Sequence, residues 1–329
     1  MDNIELFQKT SKRKFLKILG VSFLGSLGYG LYNKYNKDAK KANWAGSVLG
    51  VPSKIELHSN STDLNNHMVE EIERLVVKYE NIFYLQNEQS EICSLNKNKF
   101  LANPSSEIKN VIEKSTFISS QTNGAFDITV QPLWELYFEH FILKNNTNPP
   151  DPLRIETALK RVNWKNVIIN NNHIALENEA SITLNGIAQG WITDQIKLLL
   201  SKNGYSNTLV DFGESYASGL FERKRPWNIL IKGENTAKVV ELTNKAVATS
   251  AGYGTSFEPN SKYHHIFNTR DGSSSNNFRA VSIISDKAWL SDSVSTASLS
   301  MSEKEIIMLS KTLKFKAYIQ KETNFLEIS

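Results

Sequence analysis

A carboxylate and a hydroxyl stand four residues apart in the segment from Leu290 to Ala297, which reads L-S-D-S-V-S-T-A. If this segment is helical, Asp292 and Thr296 share a face, because residues i and i+4 are neighbours on a helix. Two hard oxygens one turn apart can bind a magnesium ion, with the remaining ligands from backbone carbonyls, phosphate and water. The alternative is a surface aspartate beside a threonine that bonds back to its own helix.

A second segment, from Ala180 to Trp191, reads A-S-I-T-L-N-G-I-A-Q-G-W and predicts a short alternating strand, a turn and a helix. Apolar residues recur at helical spacing from Ile192 to Leu199, and Gly204 stands where a left-handed cap would end the helix. The turn between Gly186 and Gly190 can present N–H groups and the positive helix end to a phosphate, and carbonyls to a cation. The alternative is a tight connection whose glycines only permit close packing.

Composition bounds the class of protein. The chain has 329 residues, 40% of them hydrophobic, which suits one large domain or two small ones. Residues 1–43 hold nine Lys or Arg and three Asp or Glu, so the net charge of +4 becomes −2 for the remainder. The folded body therefore gives no reason to expect nucleic acid as a partner. Cys93 is the single cysteine, which excludes an intramolecular disulfide and a thiolate metal cluster, and we expect it to be buried and unreactive.

The N-terminus is predicted to be a targeting segment rather than part of the fold. Residues 11–31 resemble a twin-arginine export signal in which Lys12 replaces the first arginine, although secretion in an unfolded state fits the same charges. No small-x-small cleavage site follows, so the segment can also serve as a membrane anchor. We predict residues 1–31 as signal or anchor, 32–43 as a polar tether and 44–329 as the folded domain, located in the periplasm and either free or tethered to the inner membrane.

Beyond the tether, the pattern predicts strands in runs rather than in strict alternation with helices. Strands are predicted at 53–58, 167–169, 173–176, 208–212, 228–232, 239–242, 280–285, 316–320 and 325–328. Helices are predicted along an apolar stripe from Met68 to Phe83, over 108–118 and over 131–141. This order favours an α+β fold over a doubly wound sheet.

Five segments, in this order, resemble the ApbE family of FAD:protein FMN transferases. They are G-A-F-D at 124–127, L-N-G-I-A-Q-G at 184–190, L-V-D-F-G at 209–213, H-I-F-N-T-R-D-G at 265–272 and D-S-V-S-T-A at 292–297. The resemblance runs from about Trp44 to the C-terminus. It implies a single two-lobed α+β domain, related to the T-fold, with mostly antiparallel sheets and packed helices.

The resemblance also implies an activity. With magnesium, the family splits the pyrophosphate of FAD, attaches FMN through a phosphoester to a threonine of a partner flavoprotein and releases AMP. It implies Asp292, Thr296 and the backbone carbonyl of Gly186 as magnesium ligands, and His265 as the group that assists deprotonation of the target hydroxyl. A threonine hydroxyl needs such a base, and histidine titrates in the useful range. The alternative is a structural His265, while His264 would point to the opposite face of a strand.

The FAD-binding residues implied by the resemblance are Leu49, Gln86, Ala125, Phe126, Asp127, Thr183, Gln189 and Ile266. This sequence departs from the common pattern with Thr183 where many members have Asp, Gln189 where many have Lys or Glu, Gln86 where an aromatic often stacks on FAD, Glu214 where Gly is usual and Asn268 where Asp is usual. Loss of an aromatic platform is expected to weaken binding by ~1–3 kcal/mol.

Two classes of function, an enzyme and a binding protein, remain open. The first candidate is an exported FMN transferase acting on a flavoprotein of a membrane respiratory or electron-transfer complex, and the second is a non-catalytic FAD-binding protein. A third candidate, again an enzyme, is an FAD pyrophosphatase in which water replaces the threonine. The presence of Asp292, Thr296 and His265 together favours the enzyme. Four features resemble the branch associated with nitrous oxide reductase maturation, whose expected target is a membrane flavoprotein regulator: Trp44-Ala45-Gly46, Leu49-Gly50, T-L-N-G-I-A-Q-G at 183–190 and the twin-arginine-like start.

Overall fold

The computed structural model describes residues 41–58, 62–321 and 323–329. Its elements in chain order are β1 (Lys41–Val48), β2 (Val51–His58), α1 (Thr62–Phe83), α2 (Glu91–Asn98), β3 (Phe100–Ala102), α3 (Ser106–Gln121), α4 (Gln131–Tyr137), α5 (Pro152–Leu159), β4 (Val167–Ile169), β5 (His173–Leu176), α6 (Ala188–Lys202), β6 (Thr208–Asp211), β7 (Ser215–Ser218), β8 (Trp227–Lys232), β9 (Ala237–Leu242), β10 (Lys245–Ala251), β11 (Ala280–Ser285), α7 (Ala288–Ser298), α8 (Glu303–Leu313), β12 (Lys316–Gln320) and β13 (Phe325–Ile328). A π-helical segment, Phe138–Leu143, continues α4, and short 3-10 helices cover Ile128–Val130, Trp164–Asn166 and Gly252–Gly254.

The largest element is an eight-stranded sheet with the order β1-β2-β6-β7-β10-β11-β12-β13, in which every neighbouring pair is antiparallel. Side chains alternate between its faces. Val281, Ile283 and Ile319 belong to the main core with the helices, whereas Ile284 and Tyr318 pack with the β8–β9 hairpin on the other face. The α+β fold predicted from the sequence is confirmed.

The main core is built by helices whose apolar stripes were evident in the sequence. On α1, Met68, Ile72 and Phe83 are buried, and on α3 the predicted apolar residues Ile108 and Ile112 are fully buried. Burial of one apolar stripe against the sheet is the main source of stability for such a helix. The 3.6-residue period therefore predicted both the helices and their inward faces.

A second, aromatic cluster lies around α4 and the π-helical segment. The rings of Tyr137 and Phe267 meet edge to face with centroids 5.0 Å apart, and Phe141 stacks on Tyr263 at 4.8 Å. The Tyr137 hydroxyl also donates a hydrogen bond of 3.1 Å to the carbonyl of Gly272. These contacts hold the loop segment 263–272 in place, which carries one wall of the site described below.

The predicted strand from Ala180 to Leu184 is wrong. This segment is buried but belongs to no sheet, because a side chain takes the place of a neighbouring strand. The Asn96 amide accepts a hydrogen bond of 2.7 Å from the N–H of Ile182 and donates one of 2.8 Å to its carbonyl. Lys99 donates to the carbonyl of Ala180 at 2.7 Å. The alternating pattern therefore predicted correctly that this segment is buried. It did not predict that side chains, rather than a neighbouring strand, form hydrogen bonds with its backbone.

Three further differences concern boundaries and elements. Strand β1 begins at Lys41, three residues before the predicted start of the folded domain, and the predicted signal lies outside the described residues. Strands β1, β3, β7 and β10 and helices α2, α5 and α8 were not predicted. Cys93 is half-buried rather than buried, and its thiol donates to the carbonyl of Leu85 at 3.4 Å.

Within the described ranges, no helix has both the length and the apolar character needed to cross a bilayer.

Candidate active site

The twelve residues that the resemblance implies for FAD binding, metal binding or catalysis all line one cavity of about 450 Å³, a volume typical of ligand sites. They are Leu49, Gln86, Ala125, Phe126, Asp127, Thr183, Gly186, Gln189, His265, Ile266, Asp292 and Thr296. The cavity lies where the β1–β2 turn, the loop before α4, the turn before α6, the loop after β10 and the buried face of α7 meet. The structure thus brings together segments that are far apart in the sequence.

Asp292 is a buried carboxylate on α7 that is held from another helix. It is 4% exposed, and its Oδ2 accepts a hydrogen bond of 3.0 Å from the backbone N–H of Gly190, in the first turn of α6. Position 190 requires glycine because a Cβ there would lie 2.5 Å from the carbonyl oxygen of Ala288. Burial raises the pKa of Asp292 to about 7, although the bond from Gly190 opposes that shift.

The α6 helix end therefore differs from the simple expectation of N–H groups facing a phosphate. The N–H of Gly190 is used by Asp292, and the N–H of Ala188 donates to the carbonyl of Leu184 at 2.8 Å. The positive end of the helix dipole favours the nearby negative charge. A carboxylate of the protein thus occupies the position expected for a ligand anion.

Thr296 lies one helical turn after Asp292 and is less buried than its neighbours on α7. Its hydroxyl is 3.2 Å from that of Ser250 on β10. A Cβ built on Gly186 would lie 3.2 Å from Thr296 Oγ1 and 3.4 Å from the Phe126 ring. The glycine thereby keeps open the space between the turn and the helix.

Glu214, in the turn between β6 and β7, is a third acidic residue of the cavity wall besides Asp127 and Asp292. It is 9% exposed, and its Oε2 has no hydrogen-bond partner among the described residues. Burial raises the pKa of Glu214 well above its usual range, and the nearby Asp292 carboxylate raises it further. The sequence drew attention to Glu214 only as a departure from the common pattern.

The two adjacent histidines have different surroundings. His265 lines the cavity, and its Nδ1 lies 2.9 Å from the carbonyl oxygen of Thr255. A carbonyl only accepts, so Nδ1 carries the hydrogen and the lone pair is left on Nε2. Burial lowers the pKa of His265, which keeps the ring neutral near pH 7. His264 is 1% exposed, packs against Gly252 and is absent from the cavity wall.

The loop from Ala125 to Asp127 reaches the cavity with most of its polar capacity already used. Oδ1 of Asp127 accepts hydrogen bonds from the backbone and hydroxyl of Thr129 at 2.7 and 2.6 Å, and Oδ2 accepts from the N–H of Trp164 at 2.8 Å. Asp127 caps the following 3-10 helix in this way. A direct contact of Asp127 with a cofactor stays a prediction, and the structure gives its carboxylate a role in holding the loop.

Four of the five residues that depart from the common pattern line the cavity, and the fifth, Asn268, lies outside its wall and donates to Asp271 at 2.9 Å. Gln189 donates a hydrogen bond of 3.0 Å to the carbonyl of Phe212, which ties α6 to the β6–β7 turn. The Thr183 hydroxyl accepts from the N–H of Asn185 at 3.3 Å, and Leu49, at φ 51°, donates its N–H to Glu80 at 3.1 Å. Gln86 is partly buried at the cavity wall. Gln189, Thr183 and Leu49 are thus held by contacts that do not involve a ligand.

The sequence reasoning missed several lining residues, among them Tyr84, Trp134, Lys232 and Tyr253. Trp134 stacks on Phe138 with ring centroids 4.8 Å apart and offers an aromatic surface at the cavity wall. Lys232 is an exposed lysine at the end of β8. Tryptophan in a helix and lysine at the end of a strand are both common. The local sequence therefore gave no signal that Trp134 or Lys232 belongs to a site.

The oxygen donors fit a hard divalent cation better than a soft one. They comprise the carboxylates of Asp292 and Glu214, the Thr296 hydroxyl and the exposed turn at Gly186, and oxygen ligands suit magnesium. The unpartnered Oε2 of Glu214 is the kind of buried atom that a cation would satisfy. No group of three or more His, Cys, Asp or Glu side chains suited to a metal occurs in the parts of the chain that the structure covers.

Known proteins resemble this chain over most of its length. The FAD:protein FMN transferase of Vibrio cholerae is 25% identical over 288 residues, which cover 81% of this chain and 83% of the relative. That of Treponema pallidum is 24% identical, with 76% of each chain covered.

Solved structures agree with the fold. The ApbE protein of Thermotoga maritima superposes with a TM-score of 0.76 at 26% identity, covering 85% of this chain and 94% of the other. The flavin transferase ApbE of Vibrio cholerae superposes with a TM-score of 0.75 at 21% identity, covering 87% and 96%, and supports the fold alone. Residues 49–319 match the sequence model of the ApbE family. Since this match spans most of the sequence, the chain belongs to the ApbE family.

Proposed function

We propose that this chain is a magnesium-dependent FAD:protein FMN transferase that moves FMN from FAD to a threonine of an acceptor protein. The observation that carries the proposal is that a neutral histidine, His265, lines the same cavity as the oxygen donors Asp292 and Thr296. A protein that only stores FAD needs neither a base nor a cation site. The relatives named FAD:protein FMN transferase support the same activity.

Asp292, Thr296 and the carbonyl of Gly186 are the residues that would hold magnesium. The ion, when bound, neutralises negative charge on the pyrophosphate. Asp292 is positioned for this by Gly190, and Thr296 by the contact of its hydroxyl with Ser250 at 3.2 Å. The chain therefore fixes its donors by contacts that are independent of the ligand.

His265 would act as the base for the acceptor threonine. Its Nδ1 is committed to the carbonyl of Thr255, so Nε2 is the nitrogen that can accept the threonine proton. The threonine oxygen forms a bond to the FMN-side phosphorus of FAD, the bond from that phosphorus to the bridging oxygen breaks, and AMP leaves with that oxygen. The proton passes to His265, and no oxidant or reductant is needed.

The cavity walls would hold the two ring systems of FAD. Phe126, Ile266 and Trp134 offer apolar and aromatic surface, and Leu49 and Gln86 lie at the same wall. Stacking of a base on an aromatic side chain contributes about 1–3 kcal/mol to binding. Trp134 can supply this stacking, since position 86, where the family often has an aromatic residue, is Gln86 in this chain. Thr183 and Gln189 would contribute polar contacts.

We also propose that the acceptor is a flavoprotein of a membrane respiratory or electron-transfer complex, reached in the periplasm. Support comes from the basic and apolar segment of residues 11–31, which resembles an export signal. Cell fractionation tests this. Recovery of the full-length chain in the cytoplasm alone would contradict it.

Release of AMP tests the reaction. The full chain, FAD, magnesium and a threonine-bearing acceptor domain are mixed, and AMP is quantified by chromatography. The proposal expects AMP only when the acceptor is present, and none when its threonine is replaced by valine. AMP release at the same rate without acceptor would instead indicate an FAD pyrophosphatase.

A further inference from the structure

Glu214 carries a buried oxygen that the proposed mechanism does not use. The side chain is 9% exposed and lines the cavity. Its carboxylate accepts a hydrogen bond from the backbone of Thr249, yet Oε2 has no partner among the described residues. An unpartnered buried carboxylate oxygen is costly, so it usually indicates a missing ion, water or ligand.

The turn that carries Glu214 is held in one conformation. Gly213, at φ 92°, allows the tight reversal between β6 and β7, and the N–H of Phe212 donates to the carbonyl of Glu214 at 3.1 Å. Gln189 fixes the turn from α6 through its 3.0 Å bond to the carbonyl of Phe212. Glu214 is therefore placed at the cavity by its backbone and not by a flexible loop.

The surroundings of Glu214 favour a cation as the partner of its open oxygen. Its carboxylate and that of Asp292 line the same cavity, and the charge of Asp292 raises the cost of ionising Glu214. His265 is neutral, and Lys232 is exposed at the end of its strand. A pyrophosphate in this cavity would add further negative charge. A divalent cation between the carboxylates removes the repulsion and satisfies the open oxygen.

We propose that Oε2 of Glu214 is a ligand of the cation held by Asp292 and Thr296, so that the site has two carboxylates. The inference rests on the proposed function, because it extends the same metal site. Affinity of a hard-oxygen site rises with the number of charged ligands. We therefore expect the protein to bind the divalent cation in the absence of FAD, whereas a site with one carboxylate would depend more on the phosphates of FAD.

Direct metal binding tests the inference without any turnover. The full chain, free of FAD, is titrated with Mn²⁺, and free Mn²⁺ is measured by electron paramagnetic resonance, with Mg²⁺ as competitor. We expect one bound Mn²⁺ in the wild type, and a dissociation constant at least about tenfold weaker in Glu214→Gln. Glu214→Ala should weaken binding by at least as much, which covers the case in which one variant folds poorly.

Asp211→Asn is the matched control. Asp211 lies three residues before Glu214 and contributes to the same local field, but it pairs with Lys54 at 3.5 Å and lies outside the cavity wall. If Glu214 acts as a ligand, Asp211→Asn changes the dissociation constant less than about twofold. Equal effects of Asp211→Asn and Glu214→Gln would reduce Glu214 to a distant charge and overturn the inference.

Asp292→Asn separates this inference from the proposed function. Loss of Mn²⁺ binding in Asp292→Asn with unchanged binding in Glu214→Gln would overturn the role of Glu214 alone. Absence of Mn²⁺ binding in the wild type, with or without FAD, would overturn the metal site and with it the proposed function. Weaker binding in both variants supports both.

Discussion

The backbone N–H of Gly190 donates a hydrogen bond of 3.0 Å to Oδ2 of Asp292, and so joins the first turn of α6 to the middle of α7. The two helices approach so closely there that an ideal Cβ on Gly190 would lie 2.8 Å from the Cβ of Asp292. The contact orients a proposed metal ligand from outside its own helix. Stability and chemistry therefore depend on the same contact between the two helices.

The close approach predicts that Gly190→Ala destabilises the protein. The added methyl would meet the backbone carbonyl of Ala288 at 2.5 Å, and backbone cannot move aside as a side-chain end can. Overpacking of this kind costs about 1–3 kcal/mol in the free energy of unfolding. Urea denaturation measures it. Gly254→Ala is the control, since nothing lies within 4 Å of that position, and equal stability of the two variants would contradict the packing described.

Asp292→Asn is expected to remove transfer while preserving the fold. The amide oxygen can still accept from Gly190, but the charge needed for magnesium is lost, so the initial rate of FMN transfer should fall by at least about 10²-fold. Asp194→Asn is the control, because Asp194 also joins α6 to α7, accepting from the N–H of Trp289 at 3.1 Å, and lies outside the cavity wall. Normal transfer by Asp292→Asn in limiting magnesium would contradict the assignment.

His265→Gln should separate binding from chemistry. The cavity keeps its other walls, so the dissociation constant for FAD should change little, whereas the rate constant for transfer should fall by about 10²–10⁴-fold, as expected for loss of a general base. Fluorescence titration gives the first quantity and single-turnover mass spectrometry the second. A proportional loss of FAD affinity with an unchanged rate constant would assign His265 a binding role instead.

The buried His264 predicts a loss of stability in acid. Burial, with a smaller contribution from the adjacent His265, lowers the pKa of His264 from 6.5 to about 4. Between these values the unfolded chain binds a proton that the folded chain does not, so the free energy of unfolding is fully retained above pH 6.5 and falls as the pH drops towards 4. The loss from this group reaches about 3 kcal/mol at most.

The measurement for His264 is urea denaturation at a series of pH values between 4 and 7.5. His264→Asn should show a shallower dependence of unfolding free energy on pH than the wild type. His67→Asn, a change at an exposed histidine of α1, serves as control and should keep the wild-type slope. Identical slopes for wild type and His264→Asn would show that folding does not lower the pKa of His264.

Local patterns predicted the elements that depend on local spacing. The stripe from Met68 to Phe83 and the hairpin around His173 follow from the periods of helix and strand, and both are present. Most candidate site residues came from the resemblance to a family, and the residue pattern alone suggested only the pair Asp292 and Thr296 and the turn between Gly186 and Gly190.

Other features depend on contacts between distant segments and so could not be predicted from the sequence. Strand β10, K-A-V-A-T-S-A, consists largely of small residues and forms because β7 and β11 flank it, with Ala246, Val247 and Ala248 buried. Asn96 replaces a strand partner for Ile182 across 86 positions of the chain. The position of Glu214 likewise depends on the meeting of the β6–β7 turn with α6, where Gln189 donates to the carbonyl of Phe212. None of these contacts leaves a periodic signal.

Intact-mass spectrometry of the acceptor tests the central claim most directly. A threonine-bearing domain of a membrane flavoprotein is incubated with the full chain, FAD and magnesium, and its mass is compared with that of the same domain carrying valine at the threonine. The account predicts an added FMN on the threonine form alone, abolished by a chelator and restored by magnesium. The contradicting result is obtained with acceptors that relatives of this chain modify under the same conditions. If all of them stay unmodified when this chain has FAD and magnesium bound, the account is wrong.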